Sequence, residues 1–169
     1  MRVAIVACAL IFAGALARFA LARPAIEVRF PRQYENPRER HDLARFVHGS
    51  TVRVSSAFWA LRHHPGYLLS GHATPTAVEK WVSDPRDREP WAEVELREPH
   101  DVDEVAFAFE PPAPRRVRIE CFEGARRIEA VETAQARQQI RCPGARRVRA
   151  TFFTQGQLVR LYRFEARGR

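Results

Sequence analysis

From Thr51 onward the apolar residues recur with a period of two, and turn residues cut the pattern into short segments. That alternation leaves few options. A helix needs apolar residues three and four apart, whereas alternation places every second side chain on one face of a strand. Thr51 to Ala57 alternates. Ala92, Val94 and Leu96 point to one side, with Glu93 and Glu95 on the other, toward water. Val105, Phe107 and Phe109 line one face of the next strand, which the run Glu110-Pro111-Pro112-Ala113-Pro114 breaks. Arg116 to Phe122, Arg127 to Glu132, Gln138 to Cys142, Arg146 to Phe153 and Gln157 to Ala166 continue the series. Gly124-Ala125, Pro143-Gly144 and Gln155-Gly156 read as turns between them. Strands at this spacing, with no strand–helix alternation, predict an all-β antiparallel sandwich. Phe58 to Tyr67 does not alternate and carries His63-His64-Pro65-Gly66, so it is expected to be a loop.

The residues ahead of this series read differently. Met1-Arg2 is followed by an uncharged apolar run, Val3 to Ala17, closed by Ala15-Leu16-Ala17. A basic start, an apolar stretch and a small-x-small end predict a signal peptide over residues 1–17. The run is shorter than the ~20 apolar residues of a spanning helix. The alternative is an uncleaved N-terminal anchor, the one case in which a membrane would be a partner. Residues 18–49 are expected to be a linker with one short helix. Asn36-Pro37-Arg38-Glu39 has the form of a helix start, with Asn as cap, Pro at the first position and Glu reaching back. Leu43, Phe46 and Val47 then share a face, and Gly49 ends it. Residues 50–169 form the sandwich, a single domain on length. Localisation is expected to be periplasmic or secreted.

Basic residues outnumber acidic ones by 28 to 20. They are scattered among Glu and Asp, without a basic helix or a nucleic-acid-binding motif, so nucleic acid is not expected as a partner. Past the signal two cysteines remain, Cys121 and Cys142, each on the apolar side of an alternating segment. An even count in an exported chain predicts a disulfide between them. The alternative is a pair of buried thiols acting as small hydrophobes.

The segment GYLLSGHATPTAVEKWVSDPRDREPWAEVELREPHDVDEVAFAF, from Gly66 to Phe109, resembles the discoidin domain, also called the coagulation-factor type C domain. There the order is Leu-Leu, loop, Trp-Ser, loop, Pro-Trp and two short strands. Val52 to Ser56 is similar to the family's opening strand, Arg146 to Phe152 to its penultimate strand, and Leu158 to Ala166 to its closing strand. The resemblance implies a galactose-binding-like jelly-roll sandwich that binds through loops at one end and does not catalyse. It also implies structural roles for Trp81 and Trp91. Where the family often has Asp-Gly after the Leu-Leu pair, helping a calcium site, this chain has Ser70-Gly71. A hard cation prefers charged oxygens. A structural calcium is therefore not favoured, although Asp84 and Asp87 lie nearby in sequence, and no cofactor or metal ligand is assigned.

The first binding loop implied by the resemblance follows Val52 to Ser56 and holds Phe58, Trp59, Arg62, His63, His64 and Tyr67. Aromatic faces stack on the apolar side of a pyranose, while Arg and His hydrogen-bond its hydroxyls. The alternative is that Phe58 and Trp59 plug the end of the barrel and the histidines are solvated. A second loop, Ser83 to Glu89, adds Arg86 and Arg88; its alternative is a solvated charged turn. No spacing such as HExxH or GxSxG marks a catalytic site, so an enzyme is not expected. The expected function is recognition of a glycan or another cell-surface component. The alternative is a protein-interaction or envelope-assembly module without a small ligand.

Overall fold

The computed structural model describes residues 26–28, 42–71 and 78–168. The expected signal peptide and the expected helix start at Asn36 lie outside these residues. Among the described residues there are eight strands: β1 (Ile26–Val28), β2 (Thr51–Val54), β3 (Trp81–Val82), β4 (Trp91–Phe109), β5 (Arg116–Glu123), β6 (Arg126–Thr133), β7 (Arg137–Phe153) and β8 (Arg160–Gly168). Every pairing is antiparallel. The order is β1-β2-β4-β7-β5-β6, with β8 paired to β4 and β3 paired to β8.

The two long strands explain how one connected sheet becomes two layers. The first part of β4 lies between β2 and the second part of β7, as Val94 opposite Val52 and Val148 shows. The later part of β4 lies between β8 and the first part of β7, where Ala106 faces Glu165 and Arg137. Between these parts the register slips at Glu95/His100, His100/Val102 and Val102/Glu104. Slips of this kind bend a strand and let it leave one layer for the other. The layers meet through aromatic rings. Phe107, in the later part of β4, stands edge-on to Phe152 of the second part of β7 across the layers at 5.8 Å, and to its ladder partner Phe164 of β8 within its own layer at 5.1 Å. Val52, Val54, Val94, Val148 and Ile119 are fully buried around them, as the alternation predicts. The architecture is the expected antiparallel β-sandwich.

Four expectations are corrected. First, the described part of the expected helix is not α-helical: residues 46–48 form a single 3-10 turn, which Gly49 ends with φ +78°. Second, Ala92–Leu96 and Val105–Phe109 are not two strands but the two parts of β4, and Pro99 between them falls in the slipped stretch where no regular ladder bond is required of it. Third, Pro143-Gly144 does not end a strand but lies within β7. There Gly144 takes φ +63° and its N–H donates to Asp101 Oδ1 at 2.8 Å.

The fourth correction concerns Glu93. It lies on the outer face of its layer, as expected, yet it is fully buried. Arg53 and Arg149 stand opposite it on the flanking strands, and Arg147 is diagonal to it. Arg149 Nε donates to Glu93 Oε2 at 2.9 Å, Arg147 Nη1 to the same oxygen at 3.3 Å, and Arg53 Nη1 to Oε1 at 3.5 Å. Guanidinium groups take the place of water there.

Cys121 and Cys142 form a disulfide with Cα atoms 6.0 Å apart. Their segments are not ladder partners at that point. Cys121 faces Val148, while Cys142 lies opposite Val102. The bridge therefore crosses the core, and both sulfurs are buried.

Residues 42–50 strap the outside of this framework to β8. Leu43 N donates to Ala166 O at 2.7 Å, and Ser50 Oγ donates to Leu43 O at 2.7 Å. The Asp42 carboxylate accepts the N–H groups of Ala44 and Ala166 at 3.2 and 3.3 Å. Burial first, and then the nearby negative charge of Glu165, raise the Asp42 pKa to about 6.

Candidate ligand-binding end

The loop from Phe58 to Tyr67 leaves the end of β2 and is fixed at its root. Phe58 N donates to Val82 O at 2.8 Å, tying it to β3. Beneath it, Trp81 is wholly buried, donates from Nε1 to Ser56 O at 2.8 Å and packs on Phe152. Trp81 is thus the residue under the loop, in the structural role that the resemblance implies. The loop ends in a 3-10 turn, Pro65–Leu69, whose Leu68 and Leu69 are buried. An apolar root of this kind positions a loop without constraining its tip.

The tip itself is open. Phe58 and Trp59 have nearly parallel rings, 5.5 Å between centroids and 6° between planes. Trp59 is 63% exposed and Leu61 fully exposed, so neither fills the barrel end. Trp59 has φ +48°, an unfavourable conformation for a bulky residue. The turn holds it there, since Trp59 O accepts from Arg62 N at 2.8 Å and His63 N at 2.9 Å.

The polar residues divide by task. Arg62 is exposed beside the aromatic pair. His63 is half-buried; its Nδ1 is itself buried, away from the open tip, and has no hydrogen-bond partner among the described residues. His64 is committed to structure: Nδ1 accepts from Gly66 N at 3.2 Å and caps the 3-10 turn. Tyr67 is half-buried, edge-on to His64 at 6.4 Å. The sequence pattern pointed to neither Leu61 nor the capping role of His64. The Pro65 that follows His64 is the one signal of a turn start.

The second loop, Ser83 to Glu89, is pinned to the same end. Asp87 Oδ2 accepts the hydroxyls of Ser55 and Ser56, both at 2.6 Å, and Asp84 Oδ1 accepts from Arg86 N at 2.7 Å. Both aspartates are thereby engaged in holding the backbone. Arg86 and Arg88 are exposed. Among the described residues, no three His, Cys, Asp or Glu side chains gather as a metal site would require. Trp91 is half-buried on the outer face of β4, under the Arg149 guanidinium at 4.4 Å from its ring.

No family model matches the chain, and no curated protein matches it in sequence. Solved structures do. A fucose-binding module of Streptococcus pneumoniae superposes with TM-score 0.62 at 14% identity, covering 81% of this chain and 100% of the module. A chitosan-binding module from a Paenibacillus chitosanase/glucanase gives TM-score 0.59 at 19% identity, covering 76% and 99%. An allantoicase gives TM-score 0.61 at 18% identity over 76% of this chain, which spans only 43% of the allantoicase. Carbohydrate-binding modules predominate among these neighbours. At such identities the likeness carries the fold alone, and that fold is the discoidin-like, galactose-binding-like β-sandwich.

Proposed function

We propose that this chain is an exported, non-catalytic module that recognises a glycan with the Phe58–Tyr67 loop, flanked by Ser83 to Glu89. The observation that carries the reading is the exposed, parallel Phe58–Trp59 pair on a loop with a rigid apolar root. One aromatic face stacks on a sugar ring while the exposed Arg62 guanidinium is at hand for its hydroxyls. The neighbours that are carbohydrate-binding modules support the same class of ligand. The buried disulfide supports an oxidising compartment, periplasmic or extracellular. Neither a cofactor nor calcium has a part in this reading. Binding on a glycan array is expected to survive chelator and to disappear in Trp59→Ala with an unchanged circular dichroism spectrum. Binding that persists in Trp59→Ala would refute the site.

The full exposure of Leu61 beside Trp59 favours a second reading, a protein-docking module. An apolar tip of this kind suits a hydrophobic pocket of a partner. Failure to bind any glycan, together with loss of partner capture in both Leu61→Ser and Trp59→Ala, would decide for it.

A further inference from the structure

The outer face of β2, β4, β7, β5 and β6 carries an arrangement that the loop site does not use. Across these strands six arginines point outward: Arg53, Arg116, Arg118, Arg127, Arg147 and Arg149. Two of their acidic partners lie lower. The Glu93 side chain is 0% exposed and that of Glu120 15%, whereas Arg116 is 54% and Arg127 59% exposed. Glu132, which pairs with Arg116 and Arg118, is 37% exposed, so the sunken carboxylates are Glu93 and Glu120, and guanidinium groups outnumber carboxylates at the surface of this face. Aromatic rings hold several of these groups flat. Arg149 lies between Trp91, at 4.4 Å, and Phe122, at 6.0 Å; Arg147 lies over Phe122 at 4.9 Å; Arg116 and Arg118 lie over Phe153 at 4.5 and 5.3 Å. A guanidinium fixed by stacking loses little entropy on meeting an anion and still presents free N–H donors.

From this geometry we infer a second binding surface, on the flat face of the sheet, for an anionic polysaccharide. Carboxylate, sulfate and phosphate groups all suit the planar fork of arginine. The cations repeat with the sheet, about 4.8 Å between strands and about 7 Å between alternate residues. A polymer with evenly repeated charge meets several at once, and linked weak contacts add up to useful affinity. A bilayer or a protein partner fits less well. Both exploit protruding apolar side chains, and the exposed large hydrophobic residues among those described are Phe58, Trp59, Leu61 and Val78, none on this face.

The test uses the full chain and two soluble probes, dextran sulfate and polygalacturonate, titrated across a range of salt. Arg116→Gln/Arg127→Gln removes two exposed cations whose surface pairs contribute little to stability. The control Arg137→Gln/Arg141→Gln has the same net charge but alters the first part of β7, in the other layer. The face variant is expected to lose about tenfold in affinity and to show a flatter salt dependence, while the control and Trp59→Ala bind as the parent. Equal losses in the face variant and the control would overturn the proposal in favour of general basicity. Loss in Trp59→Ala alone would assign polymer binding to the loops. Binding to anionic vesicles or to a protein, but to neither polymer, would also overturn it. Retained polymer binding alongside failure of neutral glycans would refute the loop site and leave this surface standing.

Discussion

Replacing Asp42 by asparagine keeps the carbonyl that accepts the Ala44 and Ala166 N–H groups and removes the charge. The folded protein holds this carboxyl at about 6, against 3.8 for the unperturbed side chain, chiefly through burial and then through Glu165. A raised acid binds its proton more tightly when folded. Its contribution to stability is therefore fully present below pH 3.8, falls as pH rises, and is lost once pH passes about 6. A shift of this size corresponds to about 3 kcal/mol at pH 7.5 and to about 1 kcal/mol at pH 4.5. Asp42→Asn should therefore stabilise by about 3 kcal/mol at pH 7.5, moving the urea midpoint up by roughly 1.5 M. The gain should shrink by two-thirds at pH 4.5 and vanish below pH 3.5. Urea unfolding followed by tryptophan fluorescence at these pH values reads it directly. A variant equally or less stable than the parent at pH 7.5, or a gain that does not depend on pH, would refute the reasoning.

Two further predictions concern the core bridge and the strained tip. The disulfide closes a loop with a sequence separation of 21, so Cys121→Ala/Cys142→Ala should cost about 3 kcal/mol. Urea melts with and without reductant check this: reductant should lower the parent to the level of the variant and leave the variant unchanged. Trp59→Gly should stabilise by about 1 kcal/mol, because glycine accepts a positive φ without strain, and should abolish glycan binding. Thermal melts paired with the glycan array separate the two effects.

Much of the fold was legible because alternation reports which side chains share a face. Val117, Ile119 and Cys121 are buried, and Arg116, Arg118 and Glu120 lie on the other side, as the bare sequence says. Alternation does not report what covers a face. Glu93 reads as a solvated glutamate because the arginines that bury it are 40 and 54–56 positions away. Nor does it report where strands run on. Pro99 and Pro143-Gly144 are turn signals locally, yet ladder bonds on either side carry β4 and β7 through them. The loop residues were legible as a composition, aromatic and basic. Their division of labour was not, since the capping role of His64 depends on the backbone that follows it. The Asn36-Pro37 cap signal lies outside the described residues; the described end of that segment forms only the 3-10 turn at 46–48, and Leu43 bonds outward to β8.

Because β4 and β7 each belong to both layers, neither layer exists without the other. Trp91 must find Thr151, and Ala106 must find Arg137, before either layer has a central pair. The two meetings zip up one strand pair from opposite ends. Folding then waits on a distant encounter rather than on a local hairpin, which makes it slow for a chain of this size. Once made, that pair leaves no stable half to detach. Opening of the deepest amides of β4 and β7 should follow global unfolding, and the loops beyond β2 and β3 are carried on a framework that gives way only as a whole.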